Sequence, residues 1–330
     1  MLGVMRQASH PAATPPSALT VRRLRIDLAP GFARRWNGGD AFTSAYFNAL
    51  SMSFPLGEQF FIDSVRDGAA LLGDAPADAA LRATVQDFIG QEATHRHLHA
   101  QYNTELARQG FVNTWEPRMQ REIARKRAAQ AHLPALQRAR NALAVTAALE
   151  HYTALLGHIA LARIGQPGDW LAAADEPLRT LWRWHAAEES EHRAVAFDLY
   201  QRLGGRYGHR LRWFAYASRM FLLDSTRQTL ANLRHDGALG APRTWLSALR
   251  FFAGRHGLLW RMTGPLLAYL RPGFHPLQLG DGGAGPSWLR QHAGQWQAVR
   301  DDATARRQAE RQADDATPAP LAGSGWSSSA

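Results

Sequence analysis

The feature that most constrains this chain is the spacing of its glutamates and histidines: Glu58, then Glu92-x-x-His95, then Glu150, then His185-x-x-x-Glu189-x-x-His192. Positions three, four and seven apart share one face of an α-helix. Glu92 and His95 therefore project together, as do His185, Glu189 and His192. A lone glutamate from each of two helices, with a Glu-x-x-His from each of two others, is what a helical bundle needs to hold two metal ions. Two divalent ions neutralise four carboxylates, which matters because uncompensated charge in a helical core is very costly.

The intervals between these residues suit long helices. From Glu58 to Glu92 there is room for one up–down hairpin, and from Glu150 to Glu189 for another. The longer interval between them leaves space for a crossing connection. The expected fold is all-α, a ferritin-like four-helix bundle with additional C-terminal helices. Hydrophobic periodicity predicts helices near 41–72, 77–109, 116–130, 134–164, 170–203, 207–234 and 242–271, with glycine-marked turns at 73–76, 110–113, 165–168 and 204–205. The segment 19–28 alternates and reads as a strand or an extended arm. Residues 1–19 read as a disordered leader, 20–285 as the helical domain (metal bundle 41–203, covering helices 207–285), and 286–330 as a solvated helix with a loose tail.

Composition narrows the function. The 330 residues include no cysteine, which excludes disulfides, thiolate zinc sites and cysteine nucleophiles and fits a cytoplasmic protein. No long uncharged apolar run predicts a membrane span. The net charge of +10 comes from arginines scattered along the chain, with Lys126 the sole lysine, among 28 acidic residues. That scatter, without a recognisable binding motif, argues against a nucleic-acid partner.

Each metal-bearing segment has its own detail. Glu150 lies among the small residues Thr146, Ala147, Thr153, Ala154 and Gly157, which either leave space for a substrate or let helices pack closely. Pro55, just before Glu58, either bends its helix or marks a new start near Phe54. Glu188 is an alternative to Glu189, whose spacing to His192 is the better fit. His99, one turn beyond His95, is a candidate supporting group or eighth ligand, whereas His97 faces away. No role is assigned to His151 or His158. Asp63, Asp87 and Asp198 are candidates to orient the ligand imidazoles.

The segments VRRLRIDL, SMSFPLGEQFF, FIGQEATHRHLHAQYN, ALEHYTA, WRWHAAEESEHRAVAFDLY and RPGFHPLQLGD resemble a bacterial family described as predicted metal-dependent hydrolases, over about residues 20–280. The ligand order is also similar to that of the di-iron arylamine N-oxygenases. Those enzymes carry a further histidine four residues before the last Glu-x-x-His glutamate, where His185 stands here. That resemblance implies seven ligands: Glu58, Glu92, His95, Glu150, His185, Glu189 and His192.

The leading expectation is a non-haem di-iron enzyme that activates O2 and oxidises a small apolar or aromatic substrate, with manganese as an alternative ion. The second is a two-metal hydrolase using zinc or magnesium, in which a water acidified by the ions attacks an ester, amide or phosphoester. The third is a non-enzymatic iron-binding bundle. The aromatic, leucine- and arginine-rich stretch 207–285 is expected to cover the bundle and shape a hydrophobic pocket. A peripheral membrane face there is the lesser reading, and a homodimer is left open.

Overall fold

The computed structural model describes residues 19–280 and 283–299. The leader expected over 1–19, apart from Leu19, and the tail from 300 onward lie outside the described residues. The described residues are all-α but for one short antiparallel pair, in which β1 (Arg22–Leu24) binds β2 (Trp296–Ala298).

Four segments carry the Glu/His positions. They are α1 (Ala41–Ala69), α2 (Pro76–Arg108), α4 (Ala135–Leu161) and α5 (Glu176–His192). Helix α3 (Trp115–Ala129) occupies the connection between the two hairpins. Three of these helices start where local chemistry favours it. The Asp40 carboxylate accepts the Thr43 amide at 2.7 Å and caps α1, while Pro76 and Pro177 occupy first-turn positions of α2 and α5, where a missing N–H costs nothing. Helix α1 packs on α2 and α4, and α4 packs on α5. Gly157 lets α4 and α5 meet closely, since a Cβ there would stand 2.7 Å from the Ala186 carbonyl oxygen. At that position the small residue allows close helix packing.

Helix α1 runs unbroken through Pro55, so no new helix starts at Phe54. The proline has no N–H for the Ser51 carbonyl, which instead accepts the Asn103 amide of α2 at 2.9 Å. The neighbouring Met52 carbonyl accepts the Asn113 amide at 2.8 Å. Asn103 thus supplies the bond that the proline removes.

Elsewhere the expected helices divide. The one predicted over 170–203 is α5 and then α6 (Val195–Arg202), interrupted just after His192; α5 starts only at Glu176, because 168–175 is a turn segment tied to Asn37 by an isolated bridge to Ala174. After α7 (Tyr207–His235), the one predicted over 242–271 splits into α8 (Pro242–Ala253) and α9 (Leu258–Ala268). Gly257 enforces that break: its backbone approaches Phe252 so closely that a Cβ would lie 2.4 Å from the carbonyl oxygen. Residues beyond 283 are not merely solvated. Helix α10 (Ala284–Gln291) packs on α5 and buries Trp288 and Leu289.

Two apolar clusters fill the core, one containing Leu98, Tyr102, Trp182 and Trp184, the other Phe61, Val65, Phe88, Ala147 and Val195. The Glu/His positions lie where one cluster gives way to the other along α1, α2, α4 and α5. The site is therefore enclosed at both ends by packed side chains.

Candidate metal centre

All seven sequence-predicted ligands converge in the interior and all are buried. Glu92, His95, Glu189 and His192 bring one donor atom each within 4.8 Å of one another, and so do Glu58, His95 and His185. His95 belongs to both groups. Glu150 belongs to neither, but its Oε2 lies 2.9 Å from His192 Nδ1, which also approaches Glu92 Oε1 at 3.4 Å.

The polar atoms are poorly satisfied by protein alone. Both carboxylate oxygens of Glu58 and of Glu92, one each of Glu150 and Glu189, and Nδ1 of His95 have no hydrogen-bond partner. Leaving one buried polar atom unpaired costs about 1–3 kcal/mol, and more for a charged group. So many lone pairs directed into one volume fit cations better than any arrangement of protons. The titration behaviour agrees. Burial, and then the neighbouring carboxylates, push Glu58 and Glu92 well above the ordinary range. Burial raises Glu150 to about 7 against the pull of His192. Burial alone would lower His192, but Glu150 and Glu189 outweigh it and raise the imidazole to about 9. At Glu189, His192 and His185 overcome the cost of burial and hold the carboxyl below its usual value.

Two polar chains orient the imidazoles. In the first, Arg22 of β1 reaches Glu188 Oε1 at 3.0 Å, and Glu188 Oε2 contacts His95 Nε2 at 2.9 Å. With Nε2–H donating to this carboxylate, the Nδ1 lone pair of His95 faces the cluster. A carboxylate behind a metal-binding imidazole sets its tautomer and raises its basicity. Both Glu188 oxygens are engaged, by Arg22 and by His95, whereas Glu189 is the carboxylate grouped with Glu92, His95 and His192. Arg22 itself is clamped by both oxygens of Glu191 and lies over the Trp296 ring.

The second chain begins at the proline in α1. The Asn103 amide group donates to the Ser51 carbonyl, so its Oδ1 must be the atom that accepts the Ser51 hydroxyl at 2.8 Å. Ser51 Oγ is then left to accept from His99 Nδ1 at 2.9 Å. That makes His99 Nε2 the acceptor for His185 Nδ1–H at 2.8 Å, and leaves the His185 Nε2 lone pair for the cluster, beside Glu189 Oε1 at 2.8 Å. His99 is neutral in this arrangement, and burial, then His185, hold its pKa well below the usual imidazole value. Both of its ring nitrogens are thus engaged, Nδ1 by Ser51 and Nε2 by His185.

Of the aspartates considered for this task, Asp63 pairs with Arg66 and Arg127, and Asp198 with His275, away from the ligands. Asp87 is buried on α2. His97 is exposed and bonds Gln101, while His151 packs against Tyr269 and Phe274.

A cavity of about 820 Å³ opens between α1, α3, α4 and α7 and reaches Glu58 at its inner end. Its walls are mainly apolar, including Phe54, Phe61, Leu149 and Phe221, and Lys126, Arg127 and Arg138 are among its charged lining. A second pocket, of about 60 Å³, touches His185 and Glu189. Phe54, Thr153 and Phe221 border both spaces.

A model of the family described as "Predicted metal-dependent hydrolase" matches residues 20–280. The chain belongs to that family. No curated protein matches the chain, and no solved structure does. The span shared with the metal-dependent hydrolase family includes Arg22, both polar chains, all seven converging residues and the cavity walls.

Three side chains of these polar chains are not evident from the sequence: Arg22, Ser51 and Asn103. Arg22 stood in view inside VRRLRIDL, but its partners lie far away in sequence. For Ser51 a signal existed, since it sits four residues before Pro55 and must lose its helical partner.

Proposed function

We propose that the protein is a two-metal-dependent hydrolase that acts on an apolar substrate bound in the cavity beside Glu58. One observation carries the metal assignment: a fully buried set of carboxylates and imidazoles whose free atoms point at one another. The family description supports hydrolysis as the reaction, and the apolar lining supports the substrate class. Two divalent ions would supply Lewis acidity, acidifying a water and polarising the group it attacks.

The chain's own residues do the rest. Glu58, Glu92, His95, Glu150, His185, Glu189 and His192 would hold the ions, with four carboxylates balancing their charge. Glu188 and His99 fix the rotation and tautomer of His95 and His185. Glu58 both lines the cavity and belongs to the cluster, so a substrate seated against Phe54 and Leu149 presents its reactive end at the site. The apolar walls exclude bulk water and strengthen every charge interaction inside.

The donor set itself favours a second reading. Hard carboxylates and imidazoles without thiolate also suit iron, and the small apolar space beside His185 and Glu189 is of a size for dioxygen. In that case the enzyme is a di-iron oxygenase of ferritin-like build. The test compares protein loaded with zinc or manganese against protein loaded anaerobically with iron. The hydrolase reading expects oxygen-independent cleavage of aryl esters that improves with acyl length and is lost in Glu92→Gln. No ester cleavage, together with substrate-dependent oxygen uptake by the iron form, would replace it with the second reading.

A further inference from the structure

Between Asp236 and Asp281 the chain has no acidic residue but carries Arg243, Arg250, Arg255, Arg261 and Arg271. Among the described residues none of these arginines makes an ion pair within 4.0 Å, whereas Arg66, Arg118, Arg125, Arg183 and Arg202 in other helices do. The same stretch holds α8 and α9, which pack against one another and on the body of the protein. Each buries one side, Thr244, Ala248 and Phe251 in α8 and Leu258 and Ala268 in α9. Each also leaves large apolar side chains outside at helical spacing. In α8 these are Trp245, Leu246 and Leu249, the last 61% exposed; in α9 they include Leu259, Leu267 and Trp260, which is 68% exposed.

These tryptophans have no polar need left for a protein partner. Trp245 Nε1 donates to the Leu239 carbonyl at 2.9 Å and Trp260 Nε1 to the Ala253 carbonyl at 3.1 Å. What they offer outward is ring surface. Exposed tryptophan and leucine interleaved with unpaired arginine is the chemistry of a helix lying in a lipid interface, with rings among the acyl chains and guanidinium groups on phosphates. A second copy of this chain is a poor occupant. A twofold contact sets the same surface on both sides, so arginines would meet arginines with no acid to separate them.

We infer that α8 and α9 form a docking face for an anionic phospholipid surface, held by exposed apolar side chains and an acid-free set of arginines. Binding is peripheral, since among the described residues no helix is long and apolar enough to cross a membrane.

The experiment is vesicle co-sedimentation of the full metal-loaded chain, with phosphatidylcholine alone and with phosphatidylcholine mixed with phosphatidylglycerol. Partitioning should occur on the mixed vesicles, weaken with added salt, and blue-shift tryptophan emission. Arg250→Gln/Arg255→Gln should lower it roughly 30-fold, since each basic residue near such a surface adds about a factor of five. Trp245→Ala/Trp260→Ala should remove the emission shift while circular dichroism stays unchanged. Absence of binding to mixed vesicles overturns the inference, as does binding that the variants leave intact. A monomer–dimer equilibrium abolished by the tryptophan replacements would give the face to a second copy instead. Equal binding to soluble polyglutamate, insensitive to the tryptophan replacements, would give it to an acidic protein.

Discussion

At the scale of single residues, two histidines with the same helical setting do different work. His95 faces the cluster through Nδ1 because Glu188 takes the other nitrogen. His99, one turn on, faces His185 and is fixed from behind by Ser51. His99→Ala removes the group that holds the His185 tautomer. It should weaken binding of at least one metal ion by about 10–100-fold while leaving helicity intact, as read by competition titration with a chelator. Metal affinity equal to wild type would show that the Asn103–Ser51–His99 chain orients nothing. A pH effect follows from the same cluster. In metal-free protein Glu150, Glu188 and His192 are raised to about 7, 8 and 9, above their ordinary values of 4.5, 4.5 and 6.5. The folded state then holds more protons than the unfolded chain across this range. The stability these groups contribute is complete below their ordinary values and is lost as pH rises through the raised ones. Glu189, shifted downward, titrates below this window, and His95, also shifted downward, opposes the loss only near its ordinary value of 6.5, where the unfolded imidazole gives up its proton. Metal-free protein should melt at a lower temperature at pH 9 than at pH 6, and metal loading should flatten the difference. A melting temperature that rises from pH 6 to pH 9 without metal would contradict the electrostatic account.

At the scale of elements, the course of α1 decides the site. Pro55 leaves the Ser51 carbonyl without its helical donor, and Asn103 supplies one from α2. Asn103→Ala alone should cost about 1–3 kcal/mol by chemical denaturation, through the stranded Ser51 groups. Pro55→Ala restores an N–H to the helix, so the double variant should lose less than Asn103→Ala does. Strict additivity would mean that the proline and the asparagine are not coupled. Gly57, two residues on, has nothing within 4 Å of where a Cβ would stand and lines the cavity. Gly57→Ala should stabilise the protein by about 0.5–1 kcal/mol through the better helix propensity of alanine. Gly57→Trp should abolish turnover of long-chain substrates with the metal content unchanged; full turnover in that variant would move the substrate to another cavity. The four metal-bearing helices were legible in the sequence because Glu-x-x-His and its flanking apolar residues repeat on one helical face. The break after His192 was not, since no glycine or proline marks it. The split of α8 from α9 carried a signal in Gly254 and Gly257, but the apolar pattern runs across them and masks it. Arg22 could not be placed because its strand is defined by pairing with β2, near the far end of the chain.

At the scale of the molecule, two apolar clusters close over a polar centre and a cavity connects that centre to the outside. Such a core is expensive unless positive charge enters it, and the only arginine that reaches its ligands' supports, Arg22, stops at Glu188 among the described residues. Two cations bound together by four carboxylates and three imidazoles would supply that charge. The direct measurement is elemental analysis of protein loaded anaerobically with iron, and separately with zinc, then freed of loose metal. Two ions per chain are predicted in wild type, with less than full occupancy after Glu150→Ala and full occupancy after substitution of the exposed His97. A reproducible content near one ion, or near none, would contradict the dinuclear centre.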